Sequence, residues 1–221
     1  MTSPPALRYD TFYHIYNRGT NRENIFVEQR NYEYFLRLYA KYIDPVADTF
    51  AYCLLKNHFH ALVRIKAVAE ILATLDAAQK RRVAIISPGA PGETSSTGLP
   101  TRYPSKQFSD FFNAYAKAIN KAYDRTGSLF QHPFGRVVVA GGTQFFNVMR
   151  YIHQNPQKHR FVENFGDWKW SSYSAPSSIK PARLSPGMIL DWFGSREQYW
   201  QYHSEMVGDA VAQPFAEDDP D

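Results

Sequence analysis

Phe50-Ala51-Tyr52-Cys53-Leu54-Leu55-Lys56-Asn57-His58-Phe59-His60-Ala61-Leu62-Val63-Arg64-Ile65 is the stretch whose reading decides the fold. Two runs rich in aromatic and β-branched residues, Thr49 to Lys56 and His58 to Lys66, meet at a tight connection and read as two strands. The second strand opens with two histidines around one large apolar residue. Residues i and i+2 of a strand share a face, so both imidazoles project the same way from Cα atoms about 6.6 Å apart. Phe59 then points to the opposite face, into a core. Neutral imidazole is the commonest side-chain metal ligand. His58 and His60 are therefore either two packed histidines or half of a coordination shell, and the rest of the chain has to supply the remainder.

On the N-terminal side, Phe12 to Tyr16 is short, aromatic and β-prone, and ends at the turn signal Asn17-Arg18-Gly19. Glu28 to Ile43 carries Tyr32, Phe35, Leu36, Tyr39, Tyr42 and Ile43 at helical spacing, and Asp44-Pro45 stops it. On the C-terminal side, Val68 to Arg82 reads as a helix with a basic end. Residues 83–104 are rich in Pro, Gly, Ser and Thr and read as a flexible insertion. Phe108, Phe111, Phe112, Tyr115, Ile119 and Ala122 restore a helical pattern that ends near Gly127. Leu129-Phe130 and Val137-Val138-Val139 bracket a fourth strand. Thr143 to His159 is a helix for which Thr143 is the expected cap, with an interruption at Pro156. A short helix near Pro186 to Phe193 and another near Arg196 to Met206 close the chain.

The core order is β-α-β-β-α-β with one more helix behind it. That order folds as an α+β, ferredoxin-like antiparallel sheet with helices on one face. The other face is expected to be open to a ligand. Residues 8–160 form this domain, and residues 161–221 a C-terminal extension of helix and loop with an acidic tail.

Composition limits the functional classes. Hydrophobic residues at 44% and charged residues at 21% are those of a globular chain. No stretch approaches the roughly 20 apolar residues that span a membrane. The N-terminus lacks the basic and apolar regions of a signal peptide, so a cytoplasmic protein is expected. A single cysteine, Cys53, excludes an internal disulfide and any multi-cysteine zinc site, and reads as a buried small hydrophobe. Net charge is +4, but Glu217-Asp218-Asp219-Pro220-Asp221 holds four of the 21 acids. The rest of the chain has 25 basic against 17 acidic residues, or +8, which favours a polyanionic partner, chiefly nucleic acid. The 15 Tyr and 16 Phe build either a ring-rich core or a surface on which unpaired bases stack.

Tyr151 and Asn155 stand at i and i+4 of the Thr143–His159 helix, on one face and about 6 Å apart along the axis. Tyrosine is a usable nucleophile when something activates it. An amide oxygen can complete a cation's shell beside two imidazoles. Each also has a plain reading, Tyr151 as a packed ring and Asn155 as a helix-end residue before proline. Proline disfavours helical geometry at the residue before it, so the register at Asn155 is expected to be distorted, with Gln154 as a fallback ligand.

Four segments in order resemble one family. They are Phe12 to Gly19 with Arg22 and Ile25-Phe26, Ala51 to His60, Gly127-Ser128-Leu129-Phe130-Gln131, and Tyr151-Ile152-His153-Gln154-Asn155-Pro156. The match, from about residue 10 to 160, is similar to the IS200/IS605-type single-tyrosine transposases of the His-hydrophobic-His nuclease superfamily. The Asn155-Pro156 pair and Trp168-Lys169-Trp170-Ser171-Ser172-Tyr173 look most like the REP-associated tyrosine transposase branch. The resemblance implies that His58 and His60 bind Mg²⁺ or Mn²⁺ with Asn155 as third ligand, and that Tyr151 is the nucleophile. It implies single-stranded DNA next to an imperfect hairpin as substrate, a 5′-phosphotyrosine intermediate, and strand transfer through a free 3′-hydroxyl. It also implies a monomer or a homodimer, with the monomer favoured because the long tail fits that branch better than the compact dimeric enzymes.

Imidazole and oxygen donors alone do not select the metal. Arg18, Arg22, Lys56, Lys106, Arg136, Lys158 and Arg160 are the cations expected to track phosphates, and binding is expected to weaken with salt. The alternative is a hairpin-binding relative that does not cleave, and the simultaneous presence of His58, His60 and Tyr151 argues against it. A two-histidine phosphodiesterase needs a second His-x-Ser/Thr motif, which the chain lacks.

Overall fold

In the computed structural model, residues 6–77, 80, 99–174 and 192–206 are described. Four strands, β1 (Thr11–Arg18), β2 (Ala47–Leu54), β3 (His58–Ile65) and β4 (Gly135–Val139), form one antiparallel sheet in the order β2-β3-β1-β4. Among the described residues these helices accompany them: α1 (Gln29–Tyr42), α2 (Val68–Thr74), α3 (Tyr103–Ala122), α4 (Gly142–Lys158) and α5 (Arg196–Ser204). This is the expected α+β, ferredoxin-like fold, with β1 and β3 as the central strands.

Alternation along the strands sorts the two faces. Tyr13, Ile15, Phe59, Ala61 and Val63 join Phe35, Tyr39, Phe108, Phe111 and Tyr115 in the larger core, so α1 and α3 cover one face. Phe59 does point into this core, as the alternation requires. At about 25 cal/mol per Å² of apolar surface buried, each such ring contributes a few kcal/mol. On the other face, Phe12, Phe50, Ala51, Cys53 and Leu62 pack against Phe145, Val148, Met149 and Ile152 of α4. The face expected to be open therefore carries the helix that follows the β-α-β-β-α-β core. A shift in the β2–β3 register between Thr49 and Ala51 gives β2 one extra residue there. That bulge puts Phe50 and Ala51 both on the α4 side.

Several local expectations change. The helix after β3 stops at Thr74, where Leu75 turns extended and buries itself against Val46, Val68 and Leu99. The end of the 83–104 segment is anchored, because Leu99 is buried, Tyr9 Oη donates to the Pro100 carbonyl (2.7 Å), and α3 begins at Tyr103. Of the expected helix over 186–193, Trp192 and Phe193 are described and helical; its first six residues, the basic end at 81–82, most of the insertion and the acidic tail lie outside the described residues. Thr143 is not the cap of α4. Gly141 and Gly142 both adopt positive φ (90° and 55°) and turn the chain from β4 into the helix, leaving Thr143 inside its first turn. Pro156 does not interrupt α4, which runs on to Lys158 with the His159 amide donating to the Asn155 carbonyl. A proline this close to the C-terminal end forfeits only the bond to the carbonyl four residues back.

The outer edge of β2 is closed by the segment after α4. Leu54 N donates to the Trp170 carbonyl, Ser172 N donates to the Tyr52 carbonyl, and Trp168 Nε1 donates to the Leu54 carbonyl. Among the described residues no helix is long and apolar enough to cross a membrane.

Candidate active site

The β1–β3 register sets Tyr16 opposite His60 and Arg18 opposite His58, on the face covered by α4. Both imidazoles of the pair are buried. Asn57 Oδ1 lies 2.7 Å from Nδ1 of His58. An amide oxygen only accepts, so the neutral ring carries its proton on Nδ1 and its lone pair on Nε2. That Nε2 lies 3.3 Å from Oδ1 of Asn155. His60 is held in a similar way, with Nδ1 2.9 Å from Nε2 of His14 and the two rings stacked 5.1 Å apart. Each ring of the pair thus has its Nδ1 occupied by a neighbour and turns its Nε2 elsewhere.

α4 brings the two downstream residues to this pair. Asn155 stays helical in spite of Pro156, so the i, i+4 register with Tyr151 is intact and the expected distortion does not occur. Tyr151 packs edge-on against His60 (ring centroids 5.7 Å) and His14 (6.0 Å), and the Lys158 Nζ lies 5.3 Å from its ring centre. Gln154 is not a fallback ligand: its Nε2 donates to the carbonyls of His203 (2.9 Å) and Glu205 (2.7 Å), on the far side of the helix.

The lone pairs at the centre test whether a cation fits. With the amide oxygen toward His58, two acceptors face each other at 3.3 Å, while Asn155 Nδ2 is buried without a hydrogen-bond partner among the described residues. Such an arrangement is unfavourable by itself and is relieved by a positive charge between the acceptors. The donor set of two imidazoles and an amide oxygen therefore fits a divalent cation. Among the described residues no group of three or more His, Cys, Asp or Glu is arranged for a metal, so the amide is essential to that set. Cys53 pairs with His60 in register but is fully buried, and burial pushes its thiol well above the usual range.

Five of the seven expected phosphate-tracking cations gather at this end of the sheet. Arg18 ends β1 and Lys56 sits in the β2–β3 turn. Arg22 lies in the loop whose Ile25 and Phe26 amides donate to the Lys56 carbonyl, and Lys158 and Arg160 mark the end of α4. The other two do not join them. Lys106 is on α3, behind the sheet, and pairs with Asp110 at 2.6 Å. Arg136 is opposite Ile15, on the α1/α3 face, with its guanidinium 4.0 Å above the Phe134 ring; burial lowers its pKa.

Four contributors were not singled out from the sequence. His14 and Tyr16 share the alternation phase of Phe12 on β1, so a β1–β3 pairing would have placed them beside His60. The Tyr16 ring lies so close over Gly135 that a Cβ there would stand 2.1 Å from it, which only glycine permits. Asn57 is adjacent in sequence to the pair it orients. His159, one turn past Asn155, packs edge-on against His58 (5.0 Å).

No protein-family model matches the chain, and no curated protein matches it in sequence. Among solved structures, the chain is similar to a REP-associated tyrosine transposase bound to a REP hairpin. The TM-score is 0.53 with 13% sequence identity, over 81% of this chain and 86% of that one. At this identity the likeness establishes the shared fold.

Proposed function

We propose that this chain is a divalent-metal-dependent, single-tyrosine DNA strand transferase that cleaves single-stranded DNA beside a hairpin. The observation that carries the reading is the convergence of Tyr151 and Asn155 from α4 onto His58 and His60 of β3, with Asn155 Oδ1 3.3 Å from His58 Nε2. The solved transposase of the same fold was captured with a hairpin, and this supports the substrate class.

His58, His60 and Asn155 would hold Mg²⁺ or Mn²⁺, which supplies Lewis-acid polarisation of the scissile phosphate and offsets the charge that builds on it. Tyr151 gives up its proton, its oxygen bonds phosphorus, and the bond from phosphorus to the 3′ oxygen breaks. That oxygen takes a proton and leaves as a 3′-hydroxyl. The 5′-phosphotyrosine link keeps the energy of the broken bond, so a second 3′-hydroxyl reseals it. The ammonium of Lys158 lies 5.3 Å from the centre of the Tyr151 ring, a cation placed beside the attacking group. Tyr151 is 2% exposed, and Lys158 is exposed above its ring at the rim of the site. Tyr151 packs against His60 of the same chain, so the reading needs no second subunit to complete the site.

The test is the Tyr151→Phe variant, incubated with Mn²⁺ and a single-stranded oligonucleotide bearing an imperfect hairpin. The expected result is loss of the denaturant-resistant protein–DNA adduct with hairpin binding intact. An adduct that persists in the variant would exclude Tyr151 as nucleophile.

A further inference from the structure

The side of α4 turned away from the histidine pair is gripped by the C-terminal segments. Tyr52 N of β2 donates to Ser172 Oγ (2.8 Å), and Ser172 Oγ lies 2.8 Å from His153 Nε2. His153 Nδ1 lies 2.9 Å from His203 Nε2, and His203 Nδ1 lies 2.8 Å from the Tyr199 carbonyl. A carbonyl accepts only and an amide N–H donates only. For neutral rings the Tyr199 carbonyl sets the order from its end: His203 donates to Tyr199, His153 to His203, and Ser172, whose hydroxyl also lies 3.2 Å from the Tyr52 carbonyl, to His153. His153, Ser172 and His203 are all buried. Two further ties flank this chain. Gln154 Nε2 donates to the carbonyls of His203 and Glu205, and Arg150 donates to the Tyr202 carbonyl (3.2 Å) with its guanidinium 4.5 Å above the Tyr202 ring. Positions 150, 153 and 154 precede and interleave Tyr151 and Asn155.

We infer that α5 is a positioning element for the nucleophile helix, acting through the buried chain Tyr199–His203–His153–Ser172–Tyr52 to fix the rotation of α4 about its axis. The inference rests on the proposed strand-transferase reading for its catalytic consequence. A helix laid on a sheet by apolar contacts alone rolls at little cost. A fully paired polar chain has direction and admits one rotation. That rotation sets Asn155 against His58 and Tyr151 against His60, and the far end of the chain is Tyr52, next to Cys53, which pairs with His60 in the sheet. A displacement of about 1 Å at a reacting group costs on the order of a hundredfold in rate. His153, His203 and Ser172 touch no substrate in this scheme.

The test compares the full chain with its His203→Phe and His203→Gln variants. Phenylalanine keeps the ring contacts to Tyr199 (4.3 Å) and Tyr173 (5.3 Å) and removes both hydrogen bonds. Glutamine restores an acceptor for His153. Three readouts are taken: amide hydrogen exchange of α4 and of β3, the dissociation constant for a hairpin-bearing oligonucleotide, and the rate of adduct formation with Mn²⁺. In His203→Phe, α4 amides are expected to exchange roughly tenfold faster while β3 amides do not change. The adduct rate is expected to fall about ten- to a hundredfold with hairpin affinity unchanged, and glutamine to recover most of it. Equal acceleration in α4 and β3, or no acceleration, or an unchanged adduct rate, would overturn the positioning role. If the wild-type chain forms no adduct, the strand-transferase reading fails, and the exchange pattern still decides whether α5 holds α4.

Discussion

Asn155 Oδ1 sits 3.3 Å from His58 Nε2 across 97 residues of sequence, two acceptors brought face to face in a buried site. Replacing Asn155 by Ala removes one acceptor, and Asn155→Asp adds a full negative charge. Mn²⁺ affinity, read by titration calorimetry, is expected to fall about ten- to a hundredfold in the first and to rise in the second. Unchanged affinity in Asn155→Ala would remove the amide from the donor set.

His14 holds Nδ1 of His60 at 2.9 Å and so fixes the orientation of that ring, leaving Nε2 as its other nitrogen. His14→Phe keeps a stacked ring and deletes the hydrogen bond. Second-sphere losses of this kind cost about ten- to a hundredfold in metal affinity, and the same calorimetric titration reads the effect. His14→Gln, which retains a polar partner for His60, is expected to lie between the two.

Acid is expected to weaken the fold through His203. Burial lowers its pKa from 6.5 to about 4; the Tyr199 carbonyl opposes that shift and the nearby charge of Arg150 adds to it. His153, Tyr173, Tyr199, Tyr202 and Arg150 are the titratable and charged groups packed around it. The folded state keeps His203 neutral while the unfolded state binds its proton near pH 6.5. The stabilisation is thus complete above that pH and lost as pH falls toward 4, amounting to about 3 kcal/mol. Urea denaturation across this window checks it, and His203→Phe is expected to flatten the slope.

Salt dependence should separate the two groups of cations. Lys56→Ala and Arg22→Ala are expected to weaken hairpin binding and to lower the slope of log affinity against log salt by about one each. Lys106→Ala and Arg136→Ala, behind the sheet, are expected to leave the slope unchanged. Fluorescence anisotropy at several salt concentrations distinguishes them.

The order of elements was legible because each carries a local pattern. Alternation marks β1 to β3, and Phe108, Phe111 and Tyr115 mark α3. The His58/His60 face followed from strand geometry alone, and the Tyr151/Asn155 face from helix geometry. What sequence spacing does not encode is which elements meet. His14 reaches His60 through strand pairing, Ser172 reaches Tyr52 through an edge contact, and α4 lands on the face expected to be open. Pro156 was misleading for a local reason: a proline in the last turn of a helix removes one bond and leaves the register unchanged. Lys106 and Arg136 were grouped with the site on charge, which carries no information about which face of the sheet a residue occupies.

Mass spectrometry of the covalent adduct tests the central claim most directly. The wild-type chain is incubated with Mn²⁺ and a hairpin-bearing single-stranded oligonucleotide, then digested with protease and nuclease. A nucleotide joined through its 5′ phosphate to Tyr151 is the expected product. The same modification on any other tyrosine, or a cleaved strand with no covalent link to the protein, would contradict the account.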